Sequence, residues 1–268
     1  MQNEDDVNAS RRALHYRRLA GDSPLDSRYE WPLIMGPRPA NEALRTIAEH
    51  ETWRAPGATD LPRAVFLAMD GRFDEAWPLA EARSGHLREM TVNSSREAYG
   101  DLALIATIEG DRERTCRYLA EQIEVNAPAP GVAAGAKARL ARNLCYLARF
   151  DEAERLLEEA RAVPPRGSGS IRVLAAAAEA LLLAQRGELE QAEALARTAV
   201  DAAETRTDDV GYQAWTHEDL ATVLERAGRI DEARAALGQS LVIWERKGCL
   251  PCARRVSDRI DSLGPAQV

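Results

Sequence analysis

The chain has 268 residues, 45% of them hydrophobic but only 5% aromatic, with 29% charged and a net charge of −8 at neutral pH. Length and an apolar content dominated by Ala and Leu describe a helix-rich chain with material for a sizeable core. The acidic balance argues against a nucleic-acid partner, which normally needs a basic face, and no sustained alternation of β-branched and polar residues marks a strand.

From the N-terminus, Met1 is followed by an acidic, polar stretch with no basic and then apolar segment, so no signal peptide is expected. ASRRALHYRRLA, residues 9–20, reads as a helix packed through Leu14 and Leu19 with its arginines in solvent. RPANEALRTIAE then leads into a ten-residue phrase that recurs along the chain. It reads GRFDEAWPLA from 71, GDRERTCRYL from 110, ARFDEAERLL from 148, GELEQAEALA from 187 and GRIDEARAAL from 228. Aligned on one position, the copies place Ala76, Thr115, Ala153, Ala192 and Ala233 at steps of 39, 38, 39 and 41 residues, and Ala43 lies 33 residues before Ala76. A near-constant period of this size is the mark of a solenoid.

The last unit shows how one repeat is built. AWTHEDLATVLERA, 214–227, puts Leu220, Val223, Leu224 and Ala227 on one helical face. Gly228 stops this first helix by accepting a left-handed conformation. Asp231 is the expected N-cap of a second helix, EARAALGQSLVIWERKG. Ala221, Ala233 and Ser240 are small where two helices must approach closely. Gly71, Gly110 and Gly187 hold the slot of Gly228, so each is expected at positive φ, whereas Ala148 predicts an altered or strained turn. PPRGSGS, 164–170, reads as a linker, and VLAAAAEALLLA, 173–184, is interrupted by Glu179 and too short to span a bilayer. Gly248 and Pro251 are expected to end one helix and start the closing helix ARRVSDRIDSL.

These units resemble the tetratricopeptide repeat. Leu220, Ala221, Leu224, Ala233 and Ser240 follow its large–small–large and small–small pattern, as do Leu140, Ala141, Leu144, Ala153 and Ala160, with Pro165 at the closing proline. Glu179 and Thr115 depart from the pattern, and the period exceeds the family's usual length. A narrower resemblance links MGPRPANEALR and the stretch from AEALARTAVDAAETRTDD to the closing helix with the C-terminal repeat region of actinobacterial signalling proteins, which carry a nucleotide cyclase or regulatory domain and an ATPase upstream. No G-x-x-x-x-G-K-[ST] is present, so only the role of the repeat array carries over.

Candidate chemistry is sparse. GCLPC, 248–252, brings Cys249 and Cys252 into a C-x-x-C, a weak candidate for a redox pair or half a metal site. It follows a helix rather than a strand, and no second ligand pair lies near it. His15, His50, His86 and His217 show no metal-ligating spacing, and no nucleophile–base pair is suggested, so no enzyme activity and no cofactor are expected. The resemblance implies that the inner faces of the first helices line a concave groove for a protein or peptide. The groove would be lined by Glu97, Leu104, Ile108, Arg139, Arg142, Tyr146, Trp215, Glu218, Thr222 and Glu225.

The sequence therefore predicts an all-α, right-handed tetratricopeptide-like solenoid over 1–268, with five to six helix pairs. Residues 1–55 would form a degenerate N-terminal repeat, 56–248 the main repeats and 249–264 the closing helix. The expected function is a non-catalytic protein- or peptide-binding scaffold in a bacterial signalling or regulatory system, cytoplasmic and bound to neither nucleic acid nor membrane. The alternative is a ligand-sensing region or fragment of an ATPase-linked cyclase or transcription regulator.

Overall fold

The computed structural model describes residues 34–51, 60–90, 92–128, 130–162 and 169–264. The Arg-rich stretch at 9–20 lies outside these residues, as does most of the PPRGSGS linker. Twelve helices and no strand are found among the described residues. They are α1 (Ala40–Glu51), α2 (Asp60–Met69), α3 (Phe73–Met90), α4 (Val92–Glu109), α5 (Arg112–Val125), α6 (Pro130–Tyr146), α7 (Phe150–Arg161), α8 (Gly169–Gln185), α9 (Leu189–Arg206), α10 (Val210–Arg226), α11 (Ile230–Lys247) and α12 (Leu250–Ser262). From α2 to α11 they form five successive pairs.

Each turn within a pair is built the same way. Gly71, Gly110, Gly187 and Gly228 all have φ between 75° and 93°. Ala148 holds the same conformation at φ 57°, the one non-glycine residue at positive φ among the described residues. Its turn keeps the shared geometry, and the cost of a Cβ in the left-handed region falls on that alanine. The second helix of the last pair begins two residues earlier than sequence patterning places it. Arg229, not Asp231, is the N-cap of α11, and its guanidinium reaches Glu232 at 2.6 Å. Arg72 and Arg149 repeat the pairing with Glu75 and Glu152. Asp231 lies within the first turn, bonded to Arg234 at 2.6 Å, where its charge still favours the helix dipole. Likewise α10 starts at Val210, because Asp209 accepts the backbone N–H of Tyr212 and caps it there.

Small residues set the packing within pairs. Ala76, Ala153, Ala192 and Ala233 are all 0% exposed, Thr115 is 1% exposed in the corresponding place, and Ser240 is fully buried on α11. Consecutive first helices also pack on one another: α2 on α4, α6 on α8 and α8 on α10. The second helices do not meet across pairs in this way, so the first helices form the inner layer. One step departs from this pattern: α4 and α6 barely touch, and α6 packs instead on α5. Across that opening, α12 lies against both α2 and α4, besides following α11. The array therefore curls until its last helix meets its first pairs. From the other side, Met35 reaches the position a Cβ on Gly211 would take, and Lys247 donates to the carbonyls of Gly36 and Arg38, each at 2.9 Å. One apolar cluster accordingly holds Ile34, Met69 and Leu104 together with Trp215, Trp244 and Val256.

Candidate functional site

The opening between α4 and α6 is where charged inner-layer residues collect. Arg142 on α6 donates to Asp219 on α10 at 2.7 Å, with the two side chains 4% and 1% exposed. Tyr146, one turn further along α6, donates to the other oxygen of Asp219 at 2.5 Å and sits 3.3 Å from the hydroxyl of Thr222. The guanidinium of Arg112, at the start of α5, covers the Tyr146 ring at 4.0 Å and donates to Asn143 at 3.2 Å. It fills the space a closer α4–α6 packing would have closed.

Glu218, next to Asp219, bonds to a different helix. One of its oxygens accepts from Ser240 at 3.2 Å and from the indole N–H of Trp244 at 3.0 Å, both on α11. From α12, Arg259 donates to Thr222 at 2.8 Å and to Glu225 at 3.1 Å, and Arg255 donates to the carbonyl of Ile108 at 3.0 Å. Six helices thus contribute to one hydrogen-bonded inner face.

The electrostatics follow from that burial. Desolvation works against the charge on Arg142, but Asp219 and the Tyr146 oxygen outweigh it and hold the guanidinium firmly protonated. Burial, and then the Asp219 charge, push the Tyr146 phenol well above its ordinary range, so it acts as a donor. Burial also lowers Arg112, whose side chain bonds to an amide oxygen rather than to a carboxylate.

The expected groove residues do converge, but not as the lining of an open groove. Leu104 and Ile108 are each 1% exposed and belong to the core beneath α12. Arg142, Trp215 and Glu218 are buried by the chain's own first helices and by α11. Arg139, Tyr146, Thr222 and Glu225 remain partly exposed at the rim. Glu97 lies on α4, and its side chain is outside the described residues. The reason for the difference is the curl: α12 and Arg112 occupy the space an open array would leave to solvent. Asp219, Arg112, Arg255 and Arg259 were not singled out from sequence. The available signals were the polar run THED inside an apolar helix, and two arginines four apart on the closing helix.

The C-x-x-C lies beside this face. Cys249 is the N-cap of α12 and Cys252 lies in its first turn; they are 0% and 1% exposed. Among the described residues, no group of three or more His, Cys, Asp or Glu is gathered closely enough to hold a metal. A separate cleft of about 430 Å³ lies between α9, α10 and α11, lined by Arg197, Asp201, Glu204, His217, Glu232 and Gln239 over an apolar floor. There Nε2 of His217 is 2.9 Å from Glu204, and its Nδ1 is buried with no hydrogen-bond partner among the described residues.

Helix pairs stacked through their first helices define this chain as an all-α repeat solenoid. Two of its repeats match the profile of the tetratricopeptide repeat family, at residues 134–163 and 214–247. The fold is similar to the APC/C hetero-tetramer Cut9–Hcn1, at 14% identity over 91% of this chain and 47% of that one, with a TM-score of 0.61. It is similar also to a thermophilic TPR protein of Thermus thermophilus, at 22% identity over 77% of this chain and 98% of that one, with a TM-score of 0.50. Identities this low speak for the fold alone. No curated protein matches the sequence. No described helix is long and apolar enough to cross a membrane.

Proposed function

We propose that this chain is a non-catalytic scaffold that binds a protein or peptide segment in a bacterial signalling or regulatory system, in the cytoplasm. The observation that supports this best is the rim of the inner face. Arg112, Arg139, Tyr146, Thr222, Glu225 and Arg259 stand partly exposed around a buried floor of Arg142, Trp215 and Asp219. Arg and Tyr over a rigid, desolvated floor are the residue types that dominate protein recognition. The partner would engage the rim rather than enter a deep groove, because the floor is already hydrogen-bonded within the chain.

The test is site-specific photo-cross-linking in extracts of the source organism. A cross-linking side chain placed at Arg139 or at Glu225 should capture one common polypeptide, and Tyr146→Ala should reduce its yield several-fold. A probe at Val242, which is exposed on α11, should not capture it. Equal capture from Val242, or none from the rim positions, would count against the proposal.

A second reading, a ligand-sensing repeat region of an ATPase-linked cyclase or transcription regulator, is supported by the cleft at His217. Its carboxylates suit a small cationic ligand. A thermal-shift screen with polyamines should then give a stabilisation that Glu204→Gln removes.

A further inference from the structure

We infer that Cys249 and Cys252 form a reversible dithiol–disulfide site whose oxidation loosens the hold of α12 on α4. The turn at 248–251 is explained without sulfur: Gly248 adopts φ 77° to end α11, and Pro251 sits in the first turn of α12. That account leaves two buried thiols three residues apart at one helix N-terminus, an N-cap and a first-turn residue. This spacing puts both sulfurs on the same side of the first turn, where a bond between them closes a short loop and leaves the helix axis in place. Leu250 between them is 53% exposed, so solvent lies one residue away from the buried pair.

A third group ties the thiols to the ring closure. Arg255, one turn further along α12, donates to Cys252 Sγ at 3.4 Å and to the carbonyls of Ile108 and Thr107 at 3.0 and 3.4 Å. One guanidinium thus spans the sulfur and the C-terminal end of α4. The pair is also electrostatically unequal. The neighbouring Cys249 lowers Cys252 against the opposing effect of burial, and Arg255 adds to the lowering, while burial raises Cys249. The other two cysteines have no such setting: burial pushes Cys116 up to about 11 and Cys145 up to about 12.

The oxidant class is a hydroperoxide. The Cys252 thiolate attacks the terminal peroxide oxygen; the O–O bond breaks, giving a Cys252 sulfenic acid, and the expelled alkoxide, or hydroxide from hydrogen peroxide, takes up a proton from solvent and leaves as alcohol or water. Cys249 Sγ then loses its proton and attacks the Cys252 sulfur. The S–S bond forms, and the displaced hydroxide takes up a proton and leaves as water. Two thiols have lost two electrons, which have reduced the peroxide. A disulfide sulfur carries no negative charge, so Arg255 loses that partner and its grip on the α4 carbonyls weakens. A small-molecule dithiol reverses the change.

The experiment treats the full chain with hydrogen peroxide and follows intact mass, peptide mapping and amide hydrogen exchange. The expected product is about 2 Da lighter, with Cys249 joined to Cys252 and with Cys116 and Cys145 still alkylated after unfolding. Amides at Gly110 and Asp111, at the end of α4, should exchange at least about threefold faster, and dithiothreitol should restore them. The variant carrying both Cys249→Ser and Cys252→Ser should show neither effect. An unchanged mass, or gains in steps of about 16 Da without a cross-link, would overturn the proposal. So would a disulfide that forms and leaves exchange at the end of α4 unaltered.

Discussion

Asp219 is the single residue that ties the inner face together, because it accepts from both Arg142 and Tyr146 while only 1% exposed. Asp219→Ala would leave the Arg142 guanidinium buried without its counter-charge. A loss of about 3–5 kcal/mol in urea unfolding is expected, and replacing both partners by Met and Leu should recover most of it. Lys247 is a buried charge of a different kind. Its ammonium donates to the carbonyls of Gly36 and Arg38, and burial lowers its pKa to about 8 against the opposing charge of Asp209. An unfolded lysine titrates near its ordinary 10.5. Between those values the unfolded chain binds the extra proton, so stability rises with pH across this window and is lost as pH falls through about 8. Lys247→Met should remove a slope amounting to about 3 kcal/mol between pH 7.5 and 10.5, read as the difference between variant and parent urea midpoints.

At the scale of the element, the turn at Ala148 separates repeat chemistry from repeat geometry. Four pairs place glycine at this slot, and the third keeps the left-handed turn with alanine at φ 57°. Ala148→Gly relieves about 1–2 kcal/mol of steric strain against a smaller entropic penalty, so a net gain of about 0.5–1 kcal/mol is expected in thermal melts. A loss of stability would mean that the alanine methyl makes a compensating contact. The recurring phrase also has a meaning that helix-cap rules did not supply. Its arginine pairs with the glutamate three residues on, across the first turn of the second helix, at 72–75, 149–152 and 229–232, and makes no side-chain cap bond at 149 or 229. Asp looked like the cap because Asp is the commoner cap residue. An arginine acting through a bidentate carboxylate is visible in the sequence only as spacing.

At the largest scale, the described residues differ from an open stack of repeats in that α12 touches α2 and α4. In an open solenoid, a change in the last helix is felt only by its neighbour. Here Arg255 of α12 bonds to carbonyls of α4, and Pro251 lies 3.8 Å from where a Cβ of Gly71 would stand. Arg255→Ala is therefore expected to cost about 1–3 kcal/mol. It should speed amide exchange in α2, α4 and α12 together while leaving α7 unchanged. Faster exchange confined to α12 would show that the closure contributes little.

What the sequence by itself determined is local and periodic. Ala153, Ala192 and Ala233 repeat because two helices meet at that position in every pair, and Gly71, Gly110, Gly187 and Gly228 repeat because each pair needs the same turn. Periodic constraints of this kind write themselves into the chain at fixed spacing, so the helix pairs and much of their core were legible. The site was legible only as a set of candidates: Arg142, Tyr146, Trp215, Glu218, Thr222 and Glu225 do gather on one face. Their burial was decided by the curvature of the array, which sums small rotations over five pairs and leaves no motif. Of the partners that complete the face, Arg112 stands where the other copies of the phrase carry Phe73, Phe150, Leu189 and Ile230, and Arg255 and Arg259 come from the closing helix outside the repeat register; contacts made once in a chain have no period to reveal them.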